Sequence, residues 1–246
     1  MADYIEGRRA AAEALRCGFP LRRAFVQKGV NADPKFEQLV KQLRASGISV
    51  KEVARPSLDR LSSHGAHQGI VIECEPFPYA SINDIIKRSG AGSALVVVLD
   101  HVTDEGNFGA IVRSAEIVGA AGVIIANRRA ASVGVGAFKT SAGAVMHVPI
   151  AQVSNLAAAI DKLKEAGFWV GGASEHAHED CWDSPMDGRF ALVMGSEGNG
   201  ISQLVQKKCD FLTKLPQRGM TESLNVAQAC TVLCYEWMRR SWDTLS

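Results

Sequence analysis

The chain has 246 residues, 47% of them apolar and 22% charged, which suits one large or two modest domains with real cores and excludes a disordered chain or a small stapled scaffold. Its 27 basic and 26 acidic residues nearly cancel, so no global field demands a polyanionic partner; residues 1–75 are the more basic part, with 12 Lys and Arg against 9 Asp and Glu, which permits nucleic acid without specifying it. The cysteines at 17, 74, 181, 209, 230 and 234 form no C-x-x-C pair, which argues against a zinc ribbon or a thioredoxin-type motif. No apolar run approaches the ~20 residues of a membrane helix, and the opening "MADYIEGRRAAAEAL" lacks the basic-then-apolar order of a secretory signal. The expectation is a cytoplasmic protein with no membrane and no metal partner.

In chain order, "EGRRAAAEALR" predicts a helix, "RAFVQ" a strand, "DPKFEQLVKQLRASG" a helix closed by Gly47, and "ISVKEV" and "QGIVIEC" two strands. In the second helix Asp33 is the expected N-cap and Pro34 its N1 residue, with Phe36, Leu39, Val40 and Leu43 on one face. Residues 1–75 thus read as a small α/β domain. The stretch "CEPFPYASIND" gathers prolines, aromatics and turn formers and reads as a boundary, with a linker over 76–90. From 91 to 246 the rhythm becomes "LVVVL", "VIIA", "FWV", "FALVM" and "FLTKL" between helical patterns. Runs that are apolar throughout are expected of parallel strands covered on both faces.

An open parallel sheet binds ligands beyond the carboxyl ends of its strands, so the loops that follow carry the functional reading. After the first run comes "DHVTDEGNFGAIVRSAE", with no glycine-rich dinucleotide turn. Asn107 and Arg113 are either site residues or, more plainly, a helix cap and a surface cation paired with Glu116 or Asp104. After "FALVM" comes "GSEGNGIS". Gly195 and Gly200 have Walker A spacing, but Ile201 stands where the lysine must be and Glu197 would repel phosphate, which argues against triphosphate binding. After "FLTKL" comes "PQRGMTESLNV", leading into a helix that buries Val226, Ala229, Cys230, Leu233, Cys234 and Trp237. Asn225 and Gln228 make a capping-box pattern there, which leaves Thr221, Glu222 and Ser223 unexplained. The loop "EHAHEDC" lacks a second ligand cluster and reads as solvated. "ANRRAASVGVGAFKTSAG" offers Arg128, Arg129 and Lys139 as an RNA or phosphate contact or as a solvated basic face.

Taken together, N-F-G-x-x-x-R (107–113), "ALVMGSEGNGIS" (191–202) and "LPQRGMTESLNVAQA" (215–229) resemble the three motifs of the SpoU (TrmH) family, RNA ribose 2′-O-methyltransferases of the SPOUT superfamily. The part before them, with "HQGIVIEC" (67–74), resembles the ribosomal-protein-like substrate-binding domain of the 23S rRNA guanosine-2′-O-methyltransferase branch. The resemblance implies an α/β SPOUT domain with a parallel sheet and a deep C-terminal trefoil knot, S-adenosyl-L-methionine as cofactor, and a homodimer acting on RNA. It implies that Met194, Gly195, Gly200, Leu215 and Leu224 line the cofactor pocket. Asn107, Arg113, Glu197, Ser223 and Asn225 then surround the reacting ribose, and Arg8, Arg9, His67, Arg128 and Arg129 contact RNA. Arg113 is expected to stabilise the developing alkoxide or hold a phosphate, because a guanidinium rarely gives up its proton. Glu197 is expected either to accept the proton or to hold Arg113. Glu222 and the bulky basic "PQRGM" depart from the family pattern and bear on which RNA position is chosen. A tRNA target, an rRNA methyltransferase conferring antibiotic resistance, and a non-catalytic RNA-binding or assembly protein remain the alternatives.

Overall fold

The computed structural model describes residues 3–29, 33–62, 67–221 and 223–244. The first part runs β1 (Asp3–Glu6), α1 (Arg8–Arg16), β2 (Leu21–Gln27), α2 (Pro34–Ala45), β3 (Ser49–Val53), α3 (Arg55–Leu61) and β4 (Ile70–Cys74). The second runs α4 (Ile82–Arg88), β5 (Ala94–Leu99), α5 (Glu105–Ile117), β6 (Gly122–Ala126), α6 (Val135–Thr140), β7 (Ile150–Val153), α7 (Leu156–Glu165), β8 (Trp169–Ala173), β9 (Glu179–Asp180), β10 (Arg189–Met194), α8 (Gln203–Gln206), β11 (Phe211–Lys214) and α9 (Val226–Ser241).

The first four strands form a mixed sheet in the order β1-β4-β2-β3, antiparallel except where β2 meets β3. Its α2 starts as its chemistry dictates: the Asp33 carboxylate accepts from the Phe36 N–H, and Pro34 occupies the first turn, where no N–H is needed. Phe36, Leu39 and Leu43 are buried on its inner face, while Val40 is only partly covered.

The remaining strands form a seven-stranded sheet, β7-β6-β5-β10-β8-β11-β9, parallel throughout. Alternate residues of β5 divide between its faces. Leu95, Val97 and Leu99 pack with Phe108, Ile111, Phe138 and Trp237 of the α5, α6 and α9 layer. Val96 and Val98 pack with Ile85, Ile160 and Val205 of the α4, α7 and α8 layer. Both faces being covered is the reason these strands are apolar at every position. Among the described residues no helix is long and apolar enough to cross a membrane.

The segment that reads as linker is built into the fold. Phe77 packs edge-on to Tyr79 and Phe138, with ring centroids 5.1 and 6.3 Å away, and its N–H donates to Asp3. Ala80 bridges to Ala151, and Ser81 and Asp84 close a reciprocal capping box that starts α4 inside the expected linker. The turn after α6 carries His147, whose ring bonds the Glu13 carboxylate of α1, which also takes Arg16. Strands β1, β7 and β9 and helix α3 carry no legible signal of their own.

Candidate active site

The chain leaves β5 for β6 and β7 at one edge and later returns β10 to the other side of β5. The carboxyl ends of β5 and β10 therefore mark the point where strand order reverses, and a crevice opens there. Their loops are tied directly. The Asp100 N–H donates to the Met194 carbonyl at 2.8 Å, and the Ser202 N–H donates to Asp100 Oδ2 at 2.7 Å.

The loop after β10 folds back on itself through Ser196 and Gly200, each N–H donating to the other's carbonyl at 3.0 and 2.9 Å. A methyl group on Gly195 would lie 2.1 Å from the Gly200 carbonyl carbon, so only glycine lets the loop close. Gly109 is required in the same way. A methyl there would lie 2.0 Å from Thr140 Oγ1, so the bare backbone lets α5 pack against α6.

Three motifs far apart in sequence converge on one hydrogen-bonded cluster. Asn107 Nδ2 donates to Glu197 Oε1 at 2.9 Å; Asn225 Nδ2 donates to the same oxygen at 2.6 Å and to Asn107 Oδ1 at 2.9 Å. The Asn225 Oδ1 is also the N-cap of α9, accepting from Ala227 and Gln228 N–H groups. Asn225 thus both caps α9 and joins the cluster. Asn107 is not the cap of its own helix: Asp104 is, accepting the Asn107 N–H at 2.7 Å. Arg113 does not pair with Glu116, Asp104 or Glu197; it is exposed and has no ion pair among the described residues.

Beside the cluster lies a cavity of about 590 Å³ lined by Asn107, Glu197, Gly200, Arg129, Asp104 and His101, among others. Glu197, carrying two amide donors on one oxygen, is a fixed anion at its rim. Two of its lining residues, His101 and Arg129, hold positive φ angles of 60° and 54°, uncommon for residues with a Cβ. The Asp100–His101 pair is absent from the sequence expectations. Its one signal is an acidic residue ending a strand that is otherwise wholly apolar.

The other expected site residues are distributed as follows. Met194 is buried at the end of β10, with Gly195 next to it. Leu215 is partly covered, while Leu224 is 48% exposed, unusual for a leucine before a buried helix. Between Leu215 and Leu224 no backbone N–H of a described residue donates to a protein acceptor, which leaves a row of peptide groups open to a ligand. Ser223 is exposed in this row, and Glu222 lies outside the described residues. Ala229 is only partly covered, and Ala227 takes the buried place instead.

Among the expected RNA contacts, Arg9 and Arg128 are exposed. Arg8 is engaged within the fold, bonding Asp33 at 2.9 Å and the Gln68 carbonyl at 3.0 Å while lying over the Phe36 ring. His67 corrects the expectation outright. It is 3% exposed, its Nδ1 accepts from Gly69 N–H and its Nε2 bonds Asp59, so it holds a turn. The G-x-G at 134–136 likewise faces inward, the Gly136 N–H donating to Glu105 at 2.9 Å.

The sequence profile of the SpoU rRNA Methylase family matches residues 94–235. The profile for RNA 2′-O ribose methyltransferase substrate binding matches residues 4–80. The chain is 37% identical over 242 residues, 97% of its own length and 96% of the relative's, to YacO of Bacillus subtilis, assigned to the TrmH family of tRNA/rRNA methyltransferases. It is 38% identical to a tRNA/rRNA methyltransferase of Mycolicibacterium gilvum, over 97% of this chain and 76% of the relative. Among solved structures it resembles the SpoU methyltransferase AviRb of Streptomyces viridochromogenes in complex with AdoMet. That likeness has a TM-score of 0.81 and 26% identity, covering 97% of this chain and 89% of the other.

Proposed function

Because this chain belongs to the SpoU rRNA methylase family, we propose that it is an S-adenosylmethionine-dependent RNA methyltransferase that acts on a ribose 2′-hydroxyl, with a guanosine of 23S rRNA as its target. The observation that carries the reading is the Asn107–Glu197–Asn225 cluster at the mouth of the crevice. Three motifs that are unrelated locally supply one side chain each, and the three satisfy one another's polar groups around a fixed anion. A helix cap alone needs only Asn225.

The residues present fit the cofactor. The open peptide groups of the described residues between Leu215 and Leu224 and the exposed Leu224 side chain offer hydrogen bonds and an apolar wall, which suits a flat heteroaromatic group with polar edges. Met194, Gly195 and Gly200 shape the adjoining turn. When bound, the cofactor supplies an electrophilic methyl group on a sulfonium. The protein's task is then to place the 2′-oxygen in line with the S–CH3 bond, and positioning of this kind contributes up to about 7–11 kcal/mol in the best cases. Asn107, Asn225 and Ser223 orient the ribose, and Arg113, exposed on α5, serves the phosphate beside it. Arg9, Arg128 and Arg129 follow the RNA backbone. The match of residues 4–80 to a substrate-binding profile supports a first domain (1–75) that selects rRNA, joined through 76–90 to the catalytic domain (91–246).

This reading includes a trefoil knot made by the C-terminal segment, a homodimer, and a cytoplasmic location. The dimer is supported by the apolar strip that α9 leaves uncovered: Val232 and Tyr235 are 48% and 44% exposed, and Trp182 and Trp242 flank them. The deciding experiment incubates purified protein with labelled S-adenosylmethionine and maps 2′-O-methylation across rRNA and tRNA. Label at a single 23S guanosine is expected; label in tRNA alone overturns the target, and none in either overturns the enzyme.

A further inference from the structure

We infer that His101, held by the buried Asp100, is the proton acceptor for the reacting 2′-hydroxyl, a role that rests on the methyltransferase reading above. Four observations converge on it. The Asp100 side chain is 1% exposed, and both its oxygens are engaged: Oδ2 takes the Ser202 N–H at 2.7 Å and Oδ1 takes His101 Nδ1 at 2.6 Å. A carboxylate accepting on both oxygens makes Nδ1 the donor, which fixes the tautomer and leaves the lone pair of the neutral ring on Nε2. That nitrogen has no protein partner among the described residues, and the ring is 44% exposed and lines the cavity beside Asn107 and Glu197. Finally, the backbone of His101 sits at φ 60°. Locally unfavourable backbone of this kind persists where surrounding bonds impose it, here the Asp100–Met194 and Asp100–Ser202 ties that join the two loops.

Of the neighbouring candidates, Glu197 spends one carboxylate oxygen, Oε1, on the amides of Asn107 and Asn225, and Arg113 is absent from the lining of this cavity. His101 is the one imidazole among the described lining residues. The step balances: the 2′-O–H proton passes to Nε2, the oxygen forms its bond to the methyl carbon, and the electron pair of the breaking S–C bond goes to sulfur. The positive charge lost from the sulfonium reappears on an imidazolium facing Asp100, and solvent removes the proton after product leaves. Asp100 is bonded to the ring, and Asp104, Glu197 and Arg129 are the charged residues that share the cavity lining with it.

The test uses His101→Asn in the full-length protein, because asparagine adopts the left-handed backbone readily and keeps the loop. Single-turnover methyl transfer is measured against pH, with S-adenosylmethionine affinity measured by calorimetry. A proton acceptor contributes about 10²–10⁴-fold, so the variant is expected to lose at least about 100-fold in rate with affinity within about threefold of the wild type. The acidic limb of the wild-type pH profile should vanish. An equally fast His101→Asn with its acidic limb intact overturns the role of His101 while leaving the enzyme in place. A slower variant that keeps the acidic limb also overturns it, since a group other than His101 then takes the proton. A wild type that methylates no RNA removes the enzyme reading and this inference together.

Discussion

Glu197 and Gly195 sit two residues apart in one loop and answer to different constraints. Glu197 is exposed, so its removal should change stability little, yet it organises both Asn107 and Asn225. A glutamine can still accept both amide hydrogens through one oxygen, which isolates the charge from the geometry. Glu197→Gln is therefore expected to lose about tenfold in single-turnover rate and Glu197→Ala about 100-fold or more, within the range of preorganised polar groups. Full activity in Glu197→Ala would remove the cluster from the mechanism. For Gly195→Ala, the added methyl collides with the backbone of Gly200 and Ile201, which no rotamer can relieve. We expect a cost of about 1–3 kcal/mol and loss of S-adenosylmethionine binding by calorimetry; undiminished binding would contradict the loop's place in the cofactor site.

At the scale of elements, α9 combines a cap that belongs to the site with a face that belongs to the core. Asn225→Ala should destabilise the protein by about 1 kcal/mol through the lost cap. Asn225→Asp keeps the capping oxygen but replaces the donor to Glu197 with a second anion, so its melting temperature should stay near wild type while methyl transfer collapses. Undiminished methyl transfer in Asn225→Asp would show that the side chain is only a cap. Further along, Trp237 is wholly buried and its Nε1 donates to the Gly188 carbonyl at 3.0 Å; its truncation to alanine should cost about 3–5 kcal/mol in chemical denaturation. The Glu13–Arg16 pair of α1 should make stability depend on pH. The Arg16 guanidinium, aided by His147, holds the Glu13 carboxyl down from 4.5 to about 2. Because the folded value lies below the unfolded one, this stabilisation is complete above about 4.5 and is lost as pH falls towards 2. Glu13→Gln should flatten the melting temperature against pH across that window, and an unchanged slope would show that the contact contributes nothing.

For the whole molecule, the proposed dimer seats a second copy on the uncovered strip of α9. Placing charge there, as in Val232→Glu with Tyr235→Glu, should convert a dimer to monomers in sedimentation velocity at micromolar concentration, since unpaired charges at an apolar interface are costly. A dimer that survives both changes would place the interface elsewhere. The core strands, the capped start of α2 and the buried face of α9 were legible because each is a local pattern: unbroken apolar runs mark strands covered twice, and Asp-Pro ahead of an i, i+3, i+4, i+7 series marks a helix start. Short β7, β9 and α4 were not, because two to seven residues take their conformation from neighbours distant in sequence. His67 was misjudged for the same reason, since its burial depends on Asp59 and a turn that no spacing announces. The three motifs named the residues Asn107, Glu197 and Asn225, but their meeting across 90 and 118 positions follows from strand order, as does the Asp100–His101 pair closing on Ser202. Composition and periodicity report which faces lose water, a property each segment carries by itself. Which loops come together at the ends of β5 and β10 is set by the crossovers between them, and that is decided only when the whole sheet assembles.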